Sequence, residues 1–135
     1  MGARRKARAV ALQSLYEIDS VGRQAEAVVE RLLTEGDLAE ENWAFVRELV
    51  GGVVRHRQEI DRNIQKFAPA WPIEQIAIID RNILRLAIFE ILFDNKVPVK
   101  VAISEAVELA KGYGSGTSAK FVNGVLGSVS ALASR

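Results

Sequence analysis

One histidine, His56, stands between Arg55 and Arg57 in a chain of 135 residues that contains no cysteine. An imidazole works as a general base when a nearby carboxylate orients it and tunes its proton. Here two cations flank the ring and no carboxylate adjoins it, so a solvated surface histidine is expected. Glu105 and Glu108 share one face if their segment is helical, which is also how an acid/base carboxylate pair would be presented. Lys111 follows at the same spacing, and helix-surface pairing accounts for all three. The segment KGYGSGTSAKF carries the glycines of a phosphate loop. It lacks the terminal GK[ST] of a nucleotide-hydrolysing loop, and no strand precedes it. A helix beginning there, with Lys120 in its first turn, would still suit a single phosphate. Without cysteine there is no thiolate nucleophile, disulfide or cysteine metal site, and neither metal nor cofactor is expected. The chemistry on offer is binding.

Charge placement says what is bound. Residues 1–16 hold Arg4, Arg5, Lys6 and Arg8 with no acid, and the stretch from Leu109 holds Lys111, Lys120 and Arg135 with none. All seventeen acids lie between Glu17 and Glu108, against eleven of the eighteen Lys+Arg. The formal net charge of +1 therefore conceals basic ends of +7 and a middle of −6. If the ends meet, one face attracts a polyanion. Arginine outnumbers lysine at the start, and its planar fork suits phosphate contact and base stacking. Tyr16 offers a stacking ring two turns beyond Arg8, or else a core tyrosine. Single-stranded RNA fits better than duplex DNA, because no helix-turn-helix with a polar recognition face is visible.

The elements that position these residues are helical. Apolar residues recur with a period of 3.6 almost throughout, which reads as an all-α fold of six to seven helices. The first ends near Gly22; a second spans about Gln24 to Glu35, with Gly36 as its stop. A third begins at Asp37 or Asn42 and carries Trp43 to Val53, with Ile60, Ile64 and Phe67 extending the stripe. Gly51-Gly52 marks a close helix contact or a kink. Pro69 and Pro72 bracket Trp71 and divide the chain into halves of about 1–68 and 73–135, two small packed bundles within one domain. A central apolar helix runs from Ile73 to Phe93, another from Val99 to Tyr113 with Val101 inward, and a last one, capped by Ser115 or Thr117, carries Phe121 to Val129. No apolar stretch is long enough to span a membrane. The absence of cysteine fits a reducing, cytoplasmic setting.

Four segments together resemble the NusB family of bacterial transcription antitermination factors: ARRKARAVALQSLYEID, IEQIAIIDRNILRLAIFEIL, VPVKVAISEAVELAKGYG and KFVNGVLG. They fall in order across nearly the whole chain. The resemblance implies two small helical bundles and no catalysis. It implies pairing with NusE, a small-subunit ribosomal protein, and joint binding of boxA RNA in nascent ribosomal-RNA transcripts, within the antitermination complex of RNA polymerase. Carried over by residue, it places Arg4, Arg5, Lys6, Arg8 and Tyr16 on the RNA, joined by Lys120, Phe121 and Asn123. It places Asp80, Arg81, Arg85 and Glu90 toward NusE. Many relatives carry an acid where this chain has Thr117. Two alternatives remain at this point. One is the RNA-recognition module of ribosomal-RNA cytosine methyltransferases, although this chain has no catalytic cysteine and no methyl-donor domain before Arg135. The other is a helical interaction scaffold, a homodimer burying its apolar faces.

Overall fold

A computed structural model describes residues 2–133 and contains seven α-helices. Helix α1 spans Ala3–Val21, α2 Ala25–Glu35, α3 Trp43–Arg55, α4 Arg57–Phe67, α5 Ile78–Ile88, α6 Val99–Tyr113 and α7 Ser118–Ser130. No strand occurs among the described residues. Arg135 lies outside them.

Each helix follows its apolar stripe. In α1 the buried Ala7, Ala11, Leu12 and Leu15 lie one turn apart along one side. Gly22 closes the helix in the left-handed region (φ 77°), donating its N–H to the Ile18 carbonyl, a conformation that favours glycine. Gly36 also caps its helix through its N–H, but with extended backbone. Short 3-10 turns at Glu40–Asn42 and Ile73–Gln75 lead into α3 and α5. The third expected helix is broken at His56, so α3 and α4 are separate.

The expected long helix from Ile73 is likewise subdivided. After α5 the backbone widens into a π turn over Phe89–Asp94, and Asn95 (φ 57°) ends it with a bond from its N–H to the Glu90 carbonyl. That widening directs Phe89 and Phe93 toward His56, whose ring stacks on Phe93 with centroids 4.4 Å apart. His56 is half-buried rather than solvated, because these rings cover it. Gly52 is where α3 meets Phe89: a Cβ there would fall 2.1 Å from the ring.

Helices α1, α2 and α3 pack together, as do α4, α5, α6 and α7; α5 also rests on α1 and α3. One continuous hydrophobic cluster, from Ala7 to Val129, runs through both groups. Val101, expected inward, is exposed on α6. The proline loop is braced by Gln65, whose Nε2 donates to the Trp71 carbonyl (2.7 Å) while its Oε1 accepts from the Ile73 N–H (3.1 Å). No helix of the described residues is long and apolar enough to cross a membrane.

Candidate nucleic-acid interface

The four cations at the start of α1 point to different surroundings because successive residues turn about 100° around a helix. Arg8 lies four residues before Leu12 and so faces inward. Its Nε and Nη2 donate to the Glu90 carboxylate at 3.0 and 2.8 Å, and the two residues are 5% and 2% exposed. Burial alone would weaken its hold on the proton, but the hydrogen bonds and charge of Glu90 outweigh it and raise the guanidinium further. The phosphate contact expected of Arg8 is therefore not available: the residue is buried, and its Nε and Nη2 are committed to Glu90 inside the fold.

Arg4, one turn earlier on that side, sits over the Phe45 ring, 4.0 Å from its centroid, and stays exposed. Arg5 faces α6 and donates from Nε and Nη2 to Glu105 at 3.1 and 2.8 Å. That hydrogen bonding holds the Glu105 carboxyl below its ordinary value. Lys6 projects into solvent. Of the expected carboxylate pair, Glu105 thus bridges helices, while Glu108 pairs with Lys111 at 3.4 Å.

Further along α1, Tyr16 (41% exposed) and Tyr113 at the end of α6 (55% exposed) flank a cleft of about 400 Å³ with Leu12 and Ile79. A second recess of about 330 Å³ continues it past Asp80 to Ser115 and Ser118 at the start of α7. Ser118 makes this junction: its Oγ accepts from the Ser115 N–H and donates to Asp80 at 2.6 Å. Thr117 does stand at the N-cap position of α7, as expected, but its side chain makes no capping hydrogen bond, and Ser118 is the residue that ties down the turn. In α7, Lys120 and Asn123 are exposed and Phe121 is half-buried against the core. So Tyr16 and the start of α7 do border one surface, whereas Arg8 does not reach it.

Of the residues expected to meet a partner protein, only Asp80 borders the cleft. Arg85 is 3% exposed and clamped by Asp61 (Nε, 2.8 Å) and Asp19 (Nη1, 2.8 Å); Glu90 is consumed by Arg8. Neither can touch a partner. Arg81 is half-buried, with Nε and Nη2 bonded to Asp19 at 2.7 and 2.9 Å. Burial pushes the Asp19 carboxyl up, but hydrogen bonds from Arg81 and Asn82 and the charges of both arginines outweigh it and hold it well below the usual carboxylate range. No buried side-chain nitrogen or oxygen is left without a partner among the described residues.

The inward placement of these groups had a signal in the sequence. Arg85 and Glu90 interrupt the apolar run ILRLAIFEIL, where only paired charges are tolerated. Phe45, Ile79 and Tyr113 were missed because each matches its apolar stripe as well as any core residue. Among the described residues no group of three or more His, Asp or Glu is arranged to hold a metal ion.

Fold and surface define a small all-α chain with exposed cations at one end of α1 and an aromatic cleft shared by α1, α5, α6 and α7. A sequence model described as the NusB family matches residues 5–131, and the chain belongs to that family. It is 59% identical over 128 residues to the transcription antitermination protein NusB of Dehalococcoides mccartyi (strain CBDB1), covering 95% of this chain and 90% of that one. A solved structure of T. maritima NusB superposes with a TM-score of 0.88 at 30% identity, covering 98% of this chain and 93% of the other. The antitermination factors NusB and NusE in complex with double-stranded RNA give a TM-score of 0.88 at 29% identity, covering 96% and 97%.

Proposed function

We propose that this chain is an RNA-binding antitermination factor that pairs with NusE, binds boxA RNA of nascent ribosomal-RNA transcripts, and acts in the antitermination complex of RNA polymerase by recruitment rather than catalysis. The observation that carries the reading is the juxtaposition just described. Exposed Arg4 and Lys6 begin α1 and exposed Lys120 lies in the first turn of α7, while the Tyr16–Tyr113 cleft of α1, α5 and α6 continues through the second recess to Ser118 at the start of α7. Cations with exposed heads neutralise phosphates, and an apolar cleft with two tyrosine hydroxyls and Asp80 at its edge suits a protein partner with basic side chains. The solved complex of the antitermination factors NusB and NusE with double-stranded RNA supports pairing with NusE and RNA binding.

Three exposed cations, rather than the whole basic start, give a log–log salt slope of about −2 for the chain alone on a single strand. The test is a mobility-shift titration of boxA RNA, with and without NusE. Replacing Lys6 and Lys120 together by Ala is expected to weaken binding by about 1–3 kcal/mol and to make the salt slope shallower by about 1. Unchanged affinity and slope would overturn the RNA face. Tyr113→Asp is expected to abolish the gain in affinity on adding NusE while leaving the chain's own RNA binding in place.

A further inference from the structure

We propose that the cleft beside Arg4 and Phe45 takes one nucleobase of the bound RNA strand, and that it selects a base carrying an exocyclic amine. The inference rests on the RNA-binding reading above and adds where a base is held. The cleft measures about 310 Å³ and lies between the start of α1, the start of α3 and the turn after the π segment. Its lining includes Arg4, Arg8, Glu41, Phe45, Glu48 and Lys96. That volume is at the small end of ligand pockets, a size for one base rather than an extended ligand.

The floor is a cation–aromatic stack. The Phe45 ring carries Arg4 at 4.0 Å and Arg8 at 5.3 Å, and Arg8 is locked from below by Glu90. Arg4 is exposed, so its guanidinium plane is open to a third layer. Unstacked RNA bases settle on such arginine planes and on aromatic faces. At the rim, Lys96 is exposed and held by Glu48 at 2.5 Å, which places a cation where the strand's phosphate would pass.

Selectivity comes from Glu41, an exposed carboxylate in the 3-10 turn that leads into α3. A carboxylate only accepts hydrogen bonds, and the amino group of cytosine is its natural partner among base edges. Uracil offers a carbonyl in the same position and meets repulsion. Glu48 is already engaged by Lys96, so Glu41 is the group that reads the base.

Fluorescence anisotropy with labelled oligocytidine and oligouridine tests this on the full chain. The wild type is expected to prefer oligocytidine, and Glu41→Gln to bring the two affinities together. Phe45→Leu is expected to weaken both by roughly tenfold through lost stacking. Glu41 is exposed and its exchange leaves the fold intact, so the test stands even if Phe45→Leu fails to fold. Equal wild-type affinities, or a Glu41→Gln chain that keeps the wild-type preference, would overturn the base site. If Lys6→Ala then still weakens both oligonucleotides, the RNA-binding reading survives without it. No binding of either oligonucleotide would overturn both.

Discussion

Asp94 shows how one buried carboxyl can work against the fold it belongs to. Burial pushes it up to about 6, and the hydrogen bond and charge of Glu48 add to this while Lys96 opposes it. An unfolded aspartate titrates near about 3.9. The folded state therefore binds the extra proton between the two values, and the stability it confers is lost as pH rises through about 6. Asp94→Asn keeps the hydrogen-bonding shape without the charge. It is expected to raise stability at neutral pH by about 1–2 kcal/mol, after allowance for solvent screening, and to make no difference near pH 4. Urea denaturation at the two pH values checks this. At this scale the sequence was legible in composition and illegible in direction. Arg4, Arg5, Lys6 and Arg8 look alike as a basic cluster, yet they meet an aromatic ring, a carboxylate on α6, solvent and a buried glutamate. Only the helix phase relative to a partner helix decides which is which, and that phase belongs to the tertiary structure.

The π turn is the element around which the two helix groups fit. It follows α5 and brings Phe89 against Gly52, where α3 comes close enough that no side chain fits. Gly52→Ala gains about 1 kcal/mol in helix propensity. Against this, the new Cβ would lie 2.1 Å from a rigid ring end, which must move. Overpacking wins, and a net loss of about 1–3 kcal/mol is expected by chemical denaturation. Gly51→Ala is the internal comparison, since its Cβ meets only the mobile Arg55 head at 3.2 Å and should be tolerated. The glycine pair announced the close contact in the sequence, and the 3.6-residue period announced the helices. The breaks at His56 and Phe89 gave no such notice: Ile60 and Ile64 stay on stripe beyond the first, and the mainly apolar run LAIFEIL around the second suits either helix type.

Over the whole molecule, a single core joins both helix groups, and a charged network spans the junction. Asp19 on α1 binds Arg81, Asn82 and Arg85 on α5, and Arg85 continues to Asp61 on α4. Because Asp19 is held below its ordinary range, its contribution is complete above about pH 4 and fades as pH falls. Asp19→Asn leaves two arginines short of a charge partner and is expected to cost about 2–4 kcal/mol at neutral pH, less in acid. Urea midpoints compared across pH test the dependence. The Gln65 brace has a consequence of a different kind. It braces the backbone of the proline loop on which Trp71 is exposed, while the indole N–H of Trp43 is bonded to the Leu38 carbonyl at 2.9 Å beside the core. The two tryptophans therefore differ in solvation by construction, one wet and one sheltered at the head of α3. The molecule carries its own pair of optical reporters, with the sheltered indole two residues from Phe45 and the wet one on the loop that joins α4 to α5.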